Sequence, residues 1–124
     1  VGDGSYMFGN PTPAHFVGAA MELPVCTLIL NNRMWGSVRK ATLGIHPDGA
    51  ASRLNRSPLT ALEPNPDFEK VVEASGGYGE RVDNAEDLPG ALDRALEAVA
   101  DKRQAVLNVQ TLYDDAQALA DARR

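Results

Sequence analysis

Long apolar runs, an excess of basic charge, internal repeats and paired cysteines are all missing from this sequence, and each absence removes a class of protein. No stretch approaches the ~18 consecutive apolar residues that a membrane span requires, and no secretory leader is visible. The net charge is -5, from 12 basic and 17 acidic residues, which argues against nucleic acid or an anionic membrane as the main partner. Any phosphate group must therefore be held locally, by backbone amides or through a metal ion. A lone cysteine, Cys26 in PVCTLIL, cannot form an internal disulfide; it reads as a small buried hydrophobe and fits a reducing, cytoplasmic setting. There is also no initiator Met and no strand ahead of the opening Gly2-Asp3-Gly4, so the N-terminus reads as cut.

What is present is an ordinary globular composition, 44% hydrophobic and 23% charged over 124 residues, enough for one domain with a real core. VCTLIL behind Pro24 is continuously apolar, as expected of a parallel strand covered on both faces. Asn10-Pro11-Thr12-Pro13 reads as a helix start, with Phe16, Ala20 and Leu23 on one face. MWGSVRKA predicts a short helix, and residues 42–65 a long irregular connection or lid. In NPDFEKVVEAS, Asn65 is the expected N-cap and Pro66 the first helical residue, with Gly76-Gly77 as the stop. YGERV is a short strand, residues 86–101 an amphipathic helix with Leu88, Leu92, Leu96 and Val99 inward, and AVLNVQ a last buried strand. The alternation predicts an α/β domain, three-layer and doubly wound around a mostly parallel sheet, with its first strand truncated. It spans residues 1–111, followed by a charged tail, 112–124.

A right-handed crossover puts the ends of the first two strands on one edge of the sheet, where ligands of open parallel sheets bind. Gly2-Asp3-Gly4 follows the first strand and Asn31-Asn32 the second, so the two motifs should meet. A carboxylate, a carboxamide oxygen and a backbone carbonyl fill about half of an octahedral Mg²⁺ shell, leaving room for a diphosphate and water. Gly2 and Gly4 allow a sharp turn and close approach to phosphate oxygens, to which Ser5 and the following amides donate.

GDGS, then 25 residues, then NN and RMWG, resembles the cofactor motif of thiamine-diphosphate-dependent enzymes, in the branch of acetolactate synthase and benzoylformate decarboxylase. ELPVCTLILNN and the stretch from PDFEKVVEASGGYGERV to AVLNVQT are similar to the same family's C-terminal cofactor-binding domain. The resemblance implies that Asp3, the Asn32 side chain and the Met34 main-chain carbonyl bind Mg²⁺. It further implies that Gly2, Gly4 and Ser5 contact the diphosphate, with Trp35 and Gly36 at the same end of the cofactor. It implies a lyase or transferase acting on 2-oxo acids or aldehydes, a homodimer or homotetramer when full length, and a pyrimidine-binding domain supplied by a second subunit. The glutamate that activates the cofactor lies on that partner domain, so this portion alone should be inactive. FGNPTPAH stands where acetolactate synthases carry a Gln-Glu-Leu stretch, and the segment after WG lacks their aromatic, so the specific reaction stays open.

Other polar residues read more simply. His46 is expected in a solvated loop, His15 in packing or at the surface, and Arg39-Lys40 as an exposed basic pair. Two rival functions remain at this level. One is a non-catalytic α/β interaction or regulatory domain with a vestigial motif. The other is a Mg²⁺-dependent phosphate-transfer enzyme, disfavoured because no second carboxylate or basic clamp accompanies the turn.

Overall fold

The computed structural model describes residues 1–54 and 59–112. The order of elements is α1 (Asp3–Phe8), α2 (Pro11–Ala20), β1 (Cys26–Asn31), α3 (Gly36–Ile45), α4 (Ala50–Arg53), α5 (Glu69–Glu73), β2 (Tyr78–Val82), α6 (Leu88–Ala100) and β3 (Ala105–Gln110). A 3-10 turn, Ala85–Asp87, leads into α6.

The three strands form a parallel sheet in the order β1-β3-β2. The most deeply buried strand takes the centre: Ala105, Val106, Leu107 and Asn108 of β3 are fully buried, as a strand covered on both faces requires. Val1 and Gly2 extend the sheet beyond β1. The Val1 ammonium donates to the Leu28 carbonyl, the Leu30 N–H donates to the Val1 carbonyl, and Gly2 bridges Leu30 in parallel. This is the short first strand expected from the sequence, and the α/β class holds.

Side-chain alternation along the strands separates two cores. Leu107 and Val109 of β3, Val82 of β2, and Ala91, Ala95 and Ala98 of α6 fill one face, with Cys26 and Leu28 packed against them. Tyr6 of α1, Phe68 and Val72 around α5, Ile29 of β1 and Val106 of β3 fill the other. The sheet is thus sandwiched between helical layers, three in all.

Several local expectations are corrected. Gly2-Asp3-Gly4 is no tight turn: Gly2 is extended, at φ -80° and ψ 154°, and Asp3 and Gly4 are the first residues of α1. An aspartate there lies at the positive end of the helix dipole. Helix α2 does begin at Pro11, but Phe16 and Leu23 are 66% and 51% exposed, and it is His15 that turns inward. Continuous apolar sequence does not bury β1 throughout, since Leu30, near the open edge, is 53% exposed. Residues 42–65 are not loop throughout, because α3 runs to Ile45 and α4 follows.

Asn65 does not cap α5. Pro66 and Asp67 form a turn ahead of the helix, and the Asn65 amide reaches Gln110 instead. Gly76, at φ +77°, ends that segment in the left-handed conformation. In α6 the inward residues are alanines, with Leu96 facing outward. Small side chains let the helix lie close on the sheet, and Leu88, Leu92 and Val99 flank the contact. Close approach also explains Gly79, where a Cβ would sit 2.1 Å from the Glu69 carbonyl oxygen. The tail from residue 113 onward lies outside the described residues.

Candidate functional site

Three segments meet at the carboxyl ends of the short first strand and β1: the start of α1, the Asn31–Met34 turn and the start of α3. Asp3 is 3% exposed. Its Oδ1 accepts the Gly4 N–H at 2.8 Å, and its Oδ2 accepts the Met34 N–H at 3.1 Å. Asn32 Oδ1 accepts the same Met34 N–H, also at 3.1 Å. Carboxylate and carboxamide oxygens that share one donor lie no further apart than twice that distance. The two motifs of the sequence therefore meet side chain to side chain.

The turn that achieves this is built from asparagines. The Asn31 Oδ1 accepts the Arg33 N–H at 3.0 Å, an Asx-type bond that supports the left-handed Arg33, at φ +61°. Beyond it, Met34 bridges Ala61 in antiparallel fashion. The bonds of that bridge are Trp35 N–H to the Thr60 carbonyl and Leu62 N–H to the Arg33 carbonyl, each 2.8 Å. Met34 is thus in the non-hydrogen-bonded position, and its own N–H and C=O face away from residues 60–62, to the side of Asp3.

Around these groups lies a cavity of about 700 Å³. Its lining includes every residue that the sequence singled out, namely Gly2, Asp3, Gly4, Ser5, Asn32, Met34, Trp35 and Gly36. Phe8, Leu30, Ser37, Val38 and Thr111 line it too, and the sequence reading missed them. Trp35 is half-buried, with Phe8 meeting its ring edge-on at 6.1 Å and Gly4 beneath it. The ring both packs and faces the cavity.

Two features bear on whether a metal-bridged diphosphate fits. The Asp3 carboxylate is buried, yet no basic side chain pairs with it among the described residues. Buried carboxylates are ordinarily paired or bound to a metal. The donor set, a carboxylate, a carboxamide oxygen and a free-facing carbonyl, is hard oxygen throughout and suits Mg²⁺. Second, a Cβ added at Gly2 would meet nothing within 4 Å, and Gly2 has a backbone conformation open to any residue. Neither the chain's conformation nor its packing accounts for glycine there, whereas close approach by a ligand does.

First-turn amides of two helices edge the same space. In α3 the intrahelical bonds begin with Arg39 N–H to the Trp35 carbonyl, so the N–H groups of Gly36, Ser37 and Val38 have no partner within their helix. In α1 they begin with Tyr6 N–H to the Gly2 carbonyl. Helix N-termini are suited to phosphate oxygens, and an acidic chain needs no basic field to use them.

The remaining polar residues stand apart from the cavity. His46 is exposed, and its carbonyl accepts the Ser52 hydroxyl at 2.8 Å. Arg39 is buried while Lys40 is exposed, so they form no exposed pair. His15 is buried between the Tyr6 hydroxyl at 2.8 Å and Gln104 Oε1 at 2.9 Å. Because Gln104 Nε2 donates to the His15 carbonyl, its oxygen faces Nδ1, which makes Nδ1 the protonated nitrogen and leaves Nε2 to accept from Tyr6. Burial pushes the Cys26 thiol above its usual range, in keeping with an inert packing role.

Residues 1–109 match the family described as thiamine pyrophosphate enzyme, C-terminal TPP binding domain. Among solved structures, the thiamine diphosphate-dependent 4-hydroxybenzoylformate decarboxylase of Rhodococcus jostii RHA1 is similar, with a TM-score of 0.72 and 28% identity over 93% of this chain. The chain spans 19% of the length of that protein. No curated protein sequence matches it.

Proposed function

This chain belongs to the thiamine pyrophosphate enzymes as a C-terminal TPP-binding domain, and on that premise we propose that it anchors the diphosphate of the cofactor through Mg²⁺. Asp3 through its carboxylate, Asn32 through Oδ1 and Met34 through its main-chain carbonyl are the proposed metal ligands. Gly2, Gly4, Ser5 and Gly36, with the first-turn amides of α3, receive the diphosphate, and Trp35 walls the cavity beside them. The observation that carries this reading is the convergence of Asp3 and Asn32 on one Met34 N–H, with the buried carboxylate paired to no cationic side chain among the described residues.

When bound, thiamine diphosphate supplies an electron sink for making or breaking bonds next to a carbonyl carbon. The domain's own work is to hold and orient the cofactor and to keep water from its diphosphate end. The substrates we propose are 2-oxo acids or aldehydes, in an acetolactate synthase-like or decarboxylase-like reaction. The structural neighbour named above, itself a decarboxylase, supports the latter. Catalysis is proposed to need a pyrimidine-binding domain from a second subunit, within a cytoplasmic homodimer or homotetramer, so that this domain alone is inactive.

The test is calorimetric titration of thiamine diphosphate into the enzyme carrying this domain, with Mg²⁺ and with chelator. Binding is expected only with the metal and is expected to vanish in Asp3→Ala. Unchanged affinity in that variant rejects the metal site, and no metal-dependent binding at all favours a non-catalytic domain with a vestigial motif.

A further inference from the structure

Glu69 lies at the start of α5, outside the cavity lining, yet a continuous line of hydrogen bonds, buried as far as Asn31, runs from it to the Asn32–Met34 turn. The geometry points to Glu69 as a positioning residue for that turn, acting through Asn108 and Asn31; the inference rests on the proposed metal site.

The line begins at a carboxylate that is almost wholly buried, with Glu69 6% exposed. Its Oε2 accepts from Asn108 Nδ2 at 2.7 Å. Asn108, in the centre of β3 and fully buried, accepts on Oδ1 from Asn31 Nδ2 at 2.9 Å and from Gln110 Nε2 at 3.1 Å. Asn31, also fully buried, accepts the Arg33 N–H at 3.0 Å. The next N–H along the chain is that of Met34, shared by Asp3 and Asn32.

An asparagine amide can be turned over at little steric cost, so what it faces decides which way it points. An ionised carboxylate only accepts. Glu69 therefore draws the NH₂ end of Asn108, which turns the Asn108 oxygen to Asn31 and the Asn31 oxygen to Arg33. Each step fixes the sense of the next. Apolar side chains at these positions would fill the space without the cost of burying a carboxylate and two amides. They could not hand an acceptor to the Arg33 N–H, on which the left-handed residue depends.

With glutamine at position 69 the first amide faces a group that can both donate and accept, and the direction is no longer imposed. The test uses the ¹⁵N-labelled chain and Mn²⁺ alone as the metal probe. In metal-free Glu69→Gln, amide exchange at Arg33 and Met34 is expected to quicken about tenfold relative to Ile29 and Val106, in line with loss of one well-aligned bond. The Mn²⁺ concentration that half-broadens the Gly4 and Met34 resonances should rise by a similar factor. In an Asn31→Ala background, Glu69→Gln should add nothing to either readout, because the line is already cut.

Unchanged relative exchange at Arg33 in folded Glu69→Gln overturns the inference, as does full additivity with Asn31→Ala. A merely structural glutamate would loosen Arg33 and Ile29 alike. Should Glu69→Gln fail to fold, the side-chain amides of Asn31 and Asn108 in the parent chain decide: protected protons support the line and freely exchanging ones refute it. Failure of the metal site reads differently, as Mn²⁺ broadening that is absent or that persists in Asp3→Asn, and the exchange data still judge Glu69.

Discussion

In Asp3→Asn the side chain keeps its size and one acceptor but loses its charge, and its new NH₂ must confront either the Gly4 or the Met34 N–H. One charge-assisted hydrogen bond, about 1.5–3 kcal/mol, gives way to donor facing donor. Opposing this is relief of a carboxylate buried to 3% exposure without a cationic partner among the described residues, where burial of an ion costs several kcal/mol. The two effects nearly cancel, so unfolding stability in chelator should change by no more than about 1 kcal/mol. With Mg²⁺ present the proteins should part. At ten times the parent's dissociation constant the metal adds about 1.4 kcal/mol to the parent and nothing to the variant. Urea unfolding of both proteins, in chelator and in Mg²⁺, measures all four values. Equal gains from Mg²⁺ in both proteins would refute the reasoning. So would a loss of roughly 3 kcal/mol or more in the variant under both conditions, which would make Asp3 a structural acceptor and nothing else.

Three further outcomes are expected. Gly79→Ala drives a Cβ to 2.1 Å from the Glu69 carbonyl and must pry α5 from β2, whereas a Cβ at Gly90 meets only the Arg94 guanidinium, at 3.3 Å. Urea unfolding should therefore show a loss of about 2–4 kcal/mol for the first substitution and little for the second. Burial pushes the Tyr6 hydroxyl from 10.0 up to about 12, so the stability it lends is complete below pH 10 and drains away as pH climbs towards 12. Phenolate absorbance and unfolding measured together should show that alkaline loss in the parent and a smaller one in Tyr6→Phe; a Tyr6 that titrates near pH 10 in folded protein would contradict it. The Arg94 guanidinium holds the Glu80 carboxyl below its ordinary 4.5, which stabilises the fold above that pH and is lost on acidification through the lowered value. Glu80→Gln should accordingly flatten the acid limb of the stability profile.

Strands β2 and β3 were legible in the sequence to the residue, β2 because it follows the Gly76-Gly77 stop and β3 because a short, mostly apolar run follows the charged end of α6. Helix α6 was legible in its existence but not in its face. A leucine stripe suggests where the core lies, yet the small residues at 91, 95 and 98 decide how near the helix can come to the sheet. Gly2-Asp3-Gly4 looked like a turn because glycine and aspartate are poor helix formers. At a helix start the same aspartate is favourable, and local propensity does not separate the two cases. The metal-ligand candidates were legible as a motif, and the cavity lining includes all of them. Asn31 was legible as half of the asparagine pair but not in its role, which depends on Asn108, 77 residues away, and on Glu69, a further 39 from Asn108. No periodicity or spacing rule reaches across such separations.

Alternation along an extended segment explains why one residue can serve two masters at the site. Arg33 and Trp35 give their bonds to residues 60–62, and Met34 between them turns its N–H the other way, to Asp3 and Asn32. Pulling on either side therefore moves Met34. If residues 60–62 were displaced, the clamp on Arg33 and Trp35 would go, and the carbonyl that Met34 offers to the cavity would lose its direction although no proposed ligand had been touched. The long connection after α3 is then coupled to the cavity through its far end, by two backbone hydrogen bonds of 2.8 Å, and needs no side chain of its own in the site to influence it.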